Sequence, residues 1–352
     1  MSSHDLWGQL HTHLHAGQDL TPELATFVMG EILEGRASED SIKEFLIDIK
    51  TKGESAQDIT LLIEQMFKYS LPISVPDRAV DIVGTGGDGH NTINISTTAA
   101  MVITGAGARV LKHGSRAASS KSGSADVLDA LGINTSLIGP EVEECVRRIG
   151  IGFCLATVFH SSLRHAAPAR KALGIPSIFN ILGPLANPAR PQVTALGVAN
   201  KAALPMMAKV LMDRGGEGFA FRSEDGMDEL SLSSPSTVIS FGNGEMSSSL
   251  FDPRDINIEP APIDALVGGD AAYNAGIIED ILQGSKGPHR EAVLLNAAIG
   301  IAAFKGDSDL GVTQQIANGY VAATQAVDSG KAWQVLQDWR AVTNELVSAR
   351  PA

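Results

Sequence analysis

The chain has 352 residues, 44% hydrophobic and 19% charged, a globular balance with room for one or two domains. No apolar run nears the roughly 18 residues of a membrane span, and a net charge of −13 disfavours a nucleic-acid partner, whose footprint would be basic. The first twenty residues lack a basic stretch followed by an apolar one, so no signal peptide is expected. Cys145 and Cys154, without C-x-x-C spacing, read as buried core thiols in a reducing cytoplasm.

In chain order, residues 1–72 read as a run of short helices. Thr21-Pro22-Glu23 supplies an N-cap, a first-turn proline and an early acid, Gly35 a stop, and Ser55-x-x-Asp58 a capping box. His11, His13 and His15 fall on the first helix. His11 and His15 share a face, but with no acid or cysteine to complete a metal set they read as surface. From residue 73 the texture changes. The runs AVDIVG, ARVLKHG, IGFCLA, VTALGV, GFAF, ELSLSS and TVISFG predict strands, and 97–105, 124–132, 141–149 and 202–213 predict helices between them. That alternation predicts an α/β fold with a largely parallel sheet. Long helices follow over 270–282, 288–304, 308–326 and 331–348, and the helical part is expected to pack on the α/β part.

Gly84, Gly86 and Gly89 satisfy G-x-G-x-x-G after the first predicted strand. A dinucleotide fingerprint also needs a helix opening directly on the loop and an acid about 20 residues on. Here HNTINIST intervenes, and residues 89–125 hold no Asp or Glu but do hold Arg109, Lys112, Arg116 and Lys121. A Walker loop fails too, since His90 and Asn91 follow Gly89 where Lys-Ser/Thr should stand. The window therefore reads as a polyanion site, with glycine N–H groups open to phosphate oxygens and Ser96-Thr97 capping the next helix. A second hydroxyl-rich loop, KHGSRAASSKSGSAD, is a solvated turn when taken alone. Paired with the first, it suits a pyrophosphate and a 5-phosphate. In SEDGMDELSL, Asp228 and Glu229 stand side by side. Such pairs are common on surfaces, but Mg²⁺ takes one or two protein carboxylates plus phosphate oxygens.

The set GTGGDG, NIST, KHGxRxxSSxSGSAD, ARKALGIPSIFNILGPLANPARP and DGMDELS, in this order, closely resembles the anthranilate phosphoribosyltransferase family of tryptophan biosynthesis. The resemblance implies a small helical domain (1–72, with a returning helical segment near 166–190) against a large α/β domain (73–352), similar to nucleoside phosphorylases. It implies phosphoribosyl pyrophosphate (PRPP) and anthranilate as substrates, Mg²⁺, and a homodimer formed through the helical domain, with no nucleic acid or membrane involved. It gives PRPP roles to Gly84, Gly87, Asp88 and Thr92, and pyrophosphate roles to Asn94, Ile95, Ser96 and Thr97. The second wall would be Lys112, His113, Gly114, Ser115, Arg116, Ala117, Ala118, Ser119, Ser120 and Ser124. Ser96, Asp228 and Glu229 would serve the metal. Gly84, Ser115 and Arg170 would meet anthranilate, Arg170 through its carboxylate. Ser115 stands where the family has asparagine, and Arg222 where histidine is common, so a different aromatic amine remains an alternative acceptor. A non-enzymatic nucleic-acid-binding homologue is the other alternative. Any anthranilate synthase partner is expected as a separate chain. The chemistry needs positioning and electrostatics more than a strong base. His113 is the one nearby proton acceptor, and a structural imidazole is its other reading.

Overall fold

The computed structural model describes residues 3–75, 77–117 and 121–350, so Ala118, Ser119 and Ser120 of the second loop lie outside the described residues. The chain opens with four helices, α1 (Ser3–His15), α2 (Pro22–Leu33), α3 (Glu39–Lys52) and α4 (Ala56–Lys68). Their boundaries follow from local chemistry. Thr21 accepts from the Leu24 N–H, and Pro22 occupies the first turn, where its missing N–H costs nothing. Ser55 and Asp58 close the expected capping box.

The α/β part begins with β1 (Val80–Gly84), α5 (Ile95–Gly105), β2 (Val110–Gly114), α6 (Ser124–Ala130), α7 (Gly139–Ile149) and β3 (Ile151–Leu155). Three short helices follow, α8 (Ala156–Phe159), α9 (Ala167–Leu173) and α10 (Ile178–Leu185). Then come β4 (Val193–Gly197), α11 (Leu204–Asp213), β5 (Glu217–Ser223) and the hairpin β6 (Ser236–Gly242) and β7 (Glu245–Phe251). The chain ends with α12 (Ala271–Leu282), α13 (Pro288–Lys305), α14 (Val312–Asp328) and α15 (Lys331–Ser348).

The sheet order is β3-β2-β1-β4-β5-β6-β7, parallel from β3 to β5 and antiparallel across the last two pairings. Strand order reverses between β1 and β4, and ligands of open α/β sheets bind beyond the carboxyl ends of strands at such a point. There Gly84 and Gly197 lie side by side in register. One apolar cluster joins the sheet to α5, α12, α13, α14 and α15. The other joins α1 to α4 with α10, α11 and sheet residues Val83, Leu196, Ala220 and Ile239. Successive strand residues face opposite sides. Lys112 accordingly looks toward α5, and His113 toward α10.

Three sequence expectations need correction. Residues 229–234 form no strand, because their backbone groups are taken by side chains. The unexpected β7 closes the hairpin instead. The helix expected from 97 starts at Ile95, which places Ser96 and Thr97 inside its first turn, where they do not cap it. Finally, an acid does stand beside the α1 histidines. The Asp48 carboxylate on α3 meets His11 Nδ1 at 2.6 Å and His15 Nε2 at 2.9 Å, so these rings tie α1 to α3.

Candidate active site

The glycine loop leaves β1 through Gly86, Gly87 and Gly89, all at positive φ, so the turn needs the left-handed region that glycine enters without strain. Its far end is clipped to another loop. The Ile93 N–H donates to the Leu266 carbonyl, and Gly268 N–H to the Asn91 carbonyl, with Thr92 bridging Val267. Asn94 then stands at the N-cap of α5, yet its side chain does not cap. Its amide donates to the Ser122 carbonyl at 3.1 Å, and its Oδ1 accepts from Asn274 at 2.9 Å. Of the first-turn donors of α5, the Ile95 N–H bonds the Ile93 carbonyl at 2.7 Å and the Ser96 N–H meets Glu229, so this helix end is turned toward an acidic group. Thr97 Oγ1, buried in this turn, has no hydrogen-bond partner.

Facing this helix end is a pocket of carboxylates. Asp228 and Glu229 are both buried. Asp228 Oδ2 accepts from the Gly86 N–H at 2.6 Å, and Glu229 accepts from the Ser96 N–H. The pair fits only because β1 and β4 end in glycine. A Cβ on Gly84 would collide with the Asp228 carboxylate, and one on Gly197 with the Asp228 carbonyl. Burial and the neighbouring Asp88 raise the Asp228 carboxyl to about 7. Burial and Asp228 push Glu229 well above its ordinary range, with Lys112 opposing. Lys112 is itself buried, donating to the Ile82 carbonyl at 2.6 Å and Ser96 Oγ at 3.2 Å. Desolvation depresses its pKa. Among the described residues no cation forms an ion pair with Asp228 or Glu229, and no three His, Cys, Asp or Glu side chains close into a metal cage. Two unneutralised carboxylates with open positions fit a hard divalent ion that keeps waters and phosphate oxygens as its other ligands.

The acid-free window is less uniform than its sequence implies. Arg109 sits at the start of β2, the far end of the sheet, and reaches toward Asp77 at 3.6 Å. Arg116 pairs with Asp126 and Asp129 of α6, just beyond the window, and Lys121 is exposed. Only Lys112 points into the floor of the site. The second loop is shaped by Asp126, which accepts from the Ala117 and Gly123 N–H groups at 2.8 and 2.9 Å. Ser115 lies exposed at its lip, bonded to the Arg116 carbonyl. Gly114 admits the Phe153 ring and the Ser124 side chain beside its α-carbon. Arg222, whose Nε donates to the Ala199 carbonyl at 2.7 Å, braces the loop after β4.

On the opposite face of the sheet, α10 links the remaining groups. Arg170 of α9 lies 5.3 Å from the centre of the Phe179 ring of α10. Partial burial lowers its pKa, and among the described residues it has no ion-pair partner. A guanidinium so placed has the planar fork of donors that a carboxylate can accept from. His113 hydrogen-bonds the Gly183 backbone of α10 and stacks edge-on with His160 at 5.7 Å. Burial pushes it down to about 3, so it is neutral at pH 7 and a poor base, and its Nε2 is buried without a hydrogen-bond partner. Asn187, after α10, donates to Asp81 of β1 and the Leu111 carbonyl, both at 2.8 Å. Neither Asp81 nor Asn187 was singled out by sequence reasoning. Asp81 looks like any strand residue, and only its place in the parallel pairing makes it a buried anchor.

A glycine loop, a helix N-terminus and a buried carboxylate pair meet at the sheet's switch point, where transferases of phosphorylated donors carry such groups. The chain accordingly matches the glycosyl transferase family, with its helical bundle domain over residues 9–70 and its a/b domain over residues 76–333. It is 47% identical over 337 residues to the anthranilate phosphoribosyltransferase of Arthrobacter sp. (strain FB24), covering 96% of each chain. It superposes on the crystal structure of anthranilate phosphoribosyltransferase from Thermus thermophilus with TM-score 0.88 at 36% identity, covering 95% of this chain and 99% of that one. The Saccharomyces cerevisiae enzyme in complex with PRPP and Mg matches with TM-score 0.87 at 26% identity, over 96% and 98% of the two chains. The chain belongs to the anthranilate phosphoribosyltransferase family.

Proposed function

We propose that this chain transfers the phosphoribosyl group of PRPP to the amine of anthranilate, giving N-(5-phosphoribosyl)anthranilate and pyrophosphate, a step of tryptophan biosynthesis. The observation that supports the reading is the switch-point juxtaposition of the glycine loop and the α5 N-terminus with the buried Asp228–Glu229 pair, which suits a phosphate-bearing donor and its divalent ion. In the reaction the anomeric C–O bond to pyrophosphate breaks, a C–N bond forms, and the amine loses a proton. Gly84, Gly87, Asp88, Thr92 and Asn94 would line the donor, and Ile95, Ser96 and Thr97 at the start of α5 would meet its pyrophosphate. Lys112 beneath them opposes the negative charge that builds as the bond breaks. Asp228, Glu229 and Ser96 would hold Mg²⁺, which neutralises pyrophosphate oxygens when bound. Arg170 would grip the anthranilate carboxylate through its two parallel N–H groups. Anthranilate's aromatic amine is neutral at pH 7, so the pocket needs no strong base, consistent with a neutral His113.

The helical domain is proposed to end at residue 72 and to carry a homodimer interface, and the protein to work in the cytoplasm. Among the described residues no helix is long and apolar enough to cross a membrane. The direct test of the site is the Asp228→Ala/Glu229→Ala double variant. It should lose turnover with its circular dichroism unchanged. Full turnover at saturating Mg²⁺ would return the pair to a structural role.

A further inference from the structure

The turn carrying Asp228 and Glu229 lacks the strand pairing its sequence pattern predicts, and side chains hold it instead. Asn296 is fully buried on α13 among leucine, alanine and isoleucine. Its Oδ1 accepts from the Leu230 N–H at 2.8 Å, and its Nδ2 donates to the Leu230 carbonyl at 2.9 Å. One carboxamide thus supplies both bonds a neighbouring strand would have made, at the residue that follows Glu229. The second Nδ2 hydrogen goes to the Ala292 carbonyl at 2.9 Å, which fixes the amide's orientation. On the other side of the pair, Asp225 accepts from the hydroxyls of Ser223, Ser231 and Ser233 and from the Met227 N–H.

Burying an amide in an apolar helix is costly unless every polar atom is paired, and a leucine would fill the same space. The amide is useful only where the backbone at Leu230 must be pinned. Such pinning has a clear purpose here. Leu230 directly follows Glu229, so a fixed Leu230 backbone fixes the direction in which the Asp228 and Glu229 side chains leave the turn. We propose that Asn296 is a positioning residue that, by clamping the Leu230 backbone, holds Asp228 and Glu229 side by side in the geometry a divalent cation requires. This rests on the reading of the two carboxylates as the metal-binding pair.

The test measures Mn²⁺ alone by electron paramagnetic resonance of the free ion, with wild type, Asn296→Leu and the Asp228→Ala/Glu229→Ala control. Asn296→Leu should weaken Mn²⁺ binding about tenfold or more, the effect of losing a buried bidentate clamp. The Mg²⁺ concentration for half-maximal turnover should rise in parallel, while KM for anthranilate at saturating Mg²⁺ stays within about twofold. If Asn296→Leu does not fold, Asn296→Ser, which leaves room for a water at Leu230, takes its place with the same expectation. A folded variant with wild-type Mn²⁺ affinity and only a lower Tm would overturn the proposal and leave Asn296 a packing residue. Undiminished Mn²⁺ binding in the double-alanine control would overturn the metal reading itself, and this proposal with it.

Discussion

Arg170 shows how a side chain's surroundings set its use. Its guanidinium lies over Phe179 and, among the described residues, pairs with no acid, which leaves its fork available to a carboxylate. Lysine keeps the charge but not the fork, and losing a charge-assisted bond costs about 1.5–3 kcal/mol. Steady-state kinetics of Arg170→Lys should therefore show KM for anthranilate raised on the order of 10- to 100-fold, with KM for PRPP nearly unchanged. If Ser115 meets anthranilate as proposed, Ser115→Asn supplies a carboxamide in its place, so turnover should survive it and KM for anthranilate should fall or hold. Loss of activity there would mean a remodelled acceptor pocket. The carboxylates make a prediction about pH. Asp228 and Glu229 titrate higher in the folded chain than unfolded, so the metal-free fold binds extra protons and loses stability as pH rises toward about 7. A bound divalent ion reverses that loss. The Tm gain from saturating Mg²⁺ should consequently be larger at pH 8 than at pH 6, and a gain independent of pH would detach the metal from these groups.

The elements around the site differ in how openly they are written. Strands β1 to β6 sit where apolar runs place them, and the Thr21 and Ser55 caps fix helix starts by purely local bonds. The errors have physical causes. Leu230 and Leu232 alternate with polar residues as a half-buried strand would, but Asn296, 66 residues on, takes the Leu230 backbone, and no local rule can see that. Strand β7 was hidden by its polar run EMSSSLF, although Asn243-Gly244, both at positive φ, is a strong hairpin signal that could have revealed it. Glycines at the loop likewise play two roles that one spacing motif cannot separate. Gly84 is required because Asp228 occupies the place of its side chain, whereas Gly87 has open space and needs only a positive φ. Gly84→Ala should abolish Mg²⁺-dependent turnover by displacing Asp228. Gly87→Ala should cost about 1–2 kcal/mol of loop strain and retain measurable activity. Equal losses in the two variants, by the same assay, would show that strain and not the Asp228 cradle governs the loop.

At the scale of the whole molecule, the sheet brings together what the sequence holds far apart. Gly84 and Gly197 become neighbours in register, Asp228 settles between them, and α10 ties the Arg170 side to the floor made by β1 and β2. The glycine loop, the carboxylate pair and the family were legible from motifs. Which of the four cations enters the site was not, because Arg109 and Arg116 find acids only once the chain is folded. This assembled site is proposed to join anthranilate to a phosphoribosyl donor. The most direct measurement follows anthranilate fluorescence with purified protein, omitting PRPP or Mg²⁺ in turn. Fluorescence should be lost, with one pyrophosphate released per anthranilate consumed, only when both are present. Unchanged anthranilate in the complete mixture, or equal turnover in excess chelator, would contradict it.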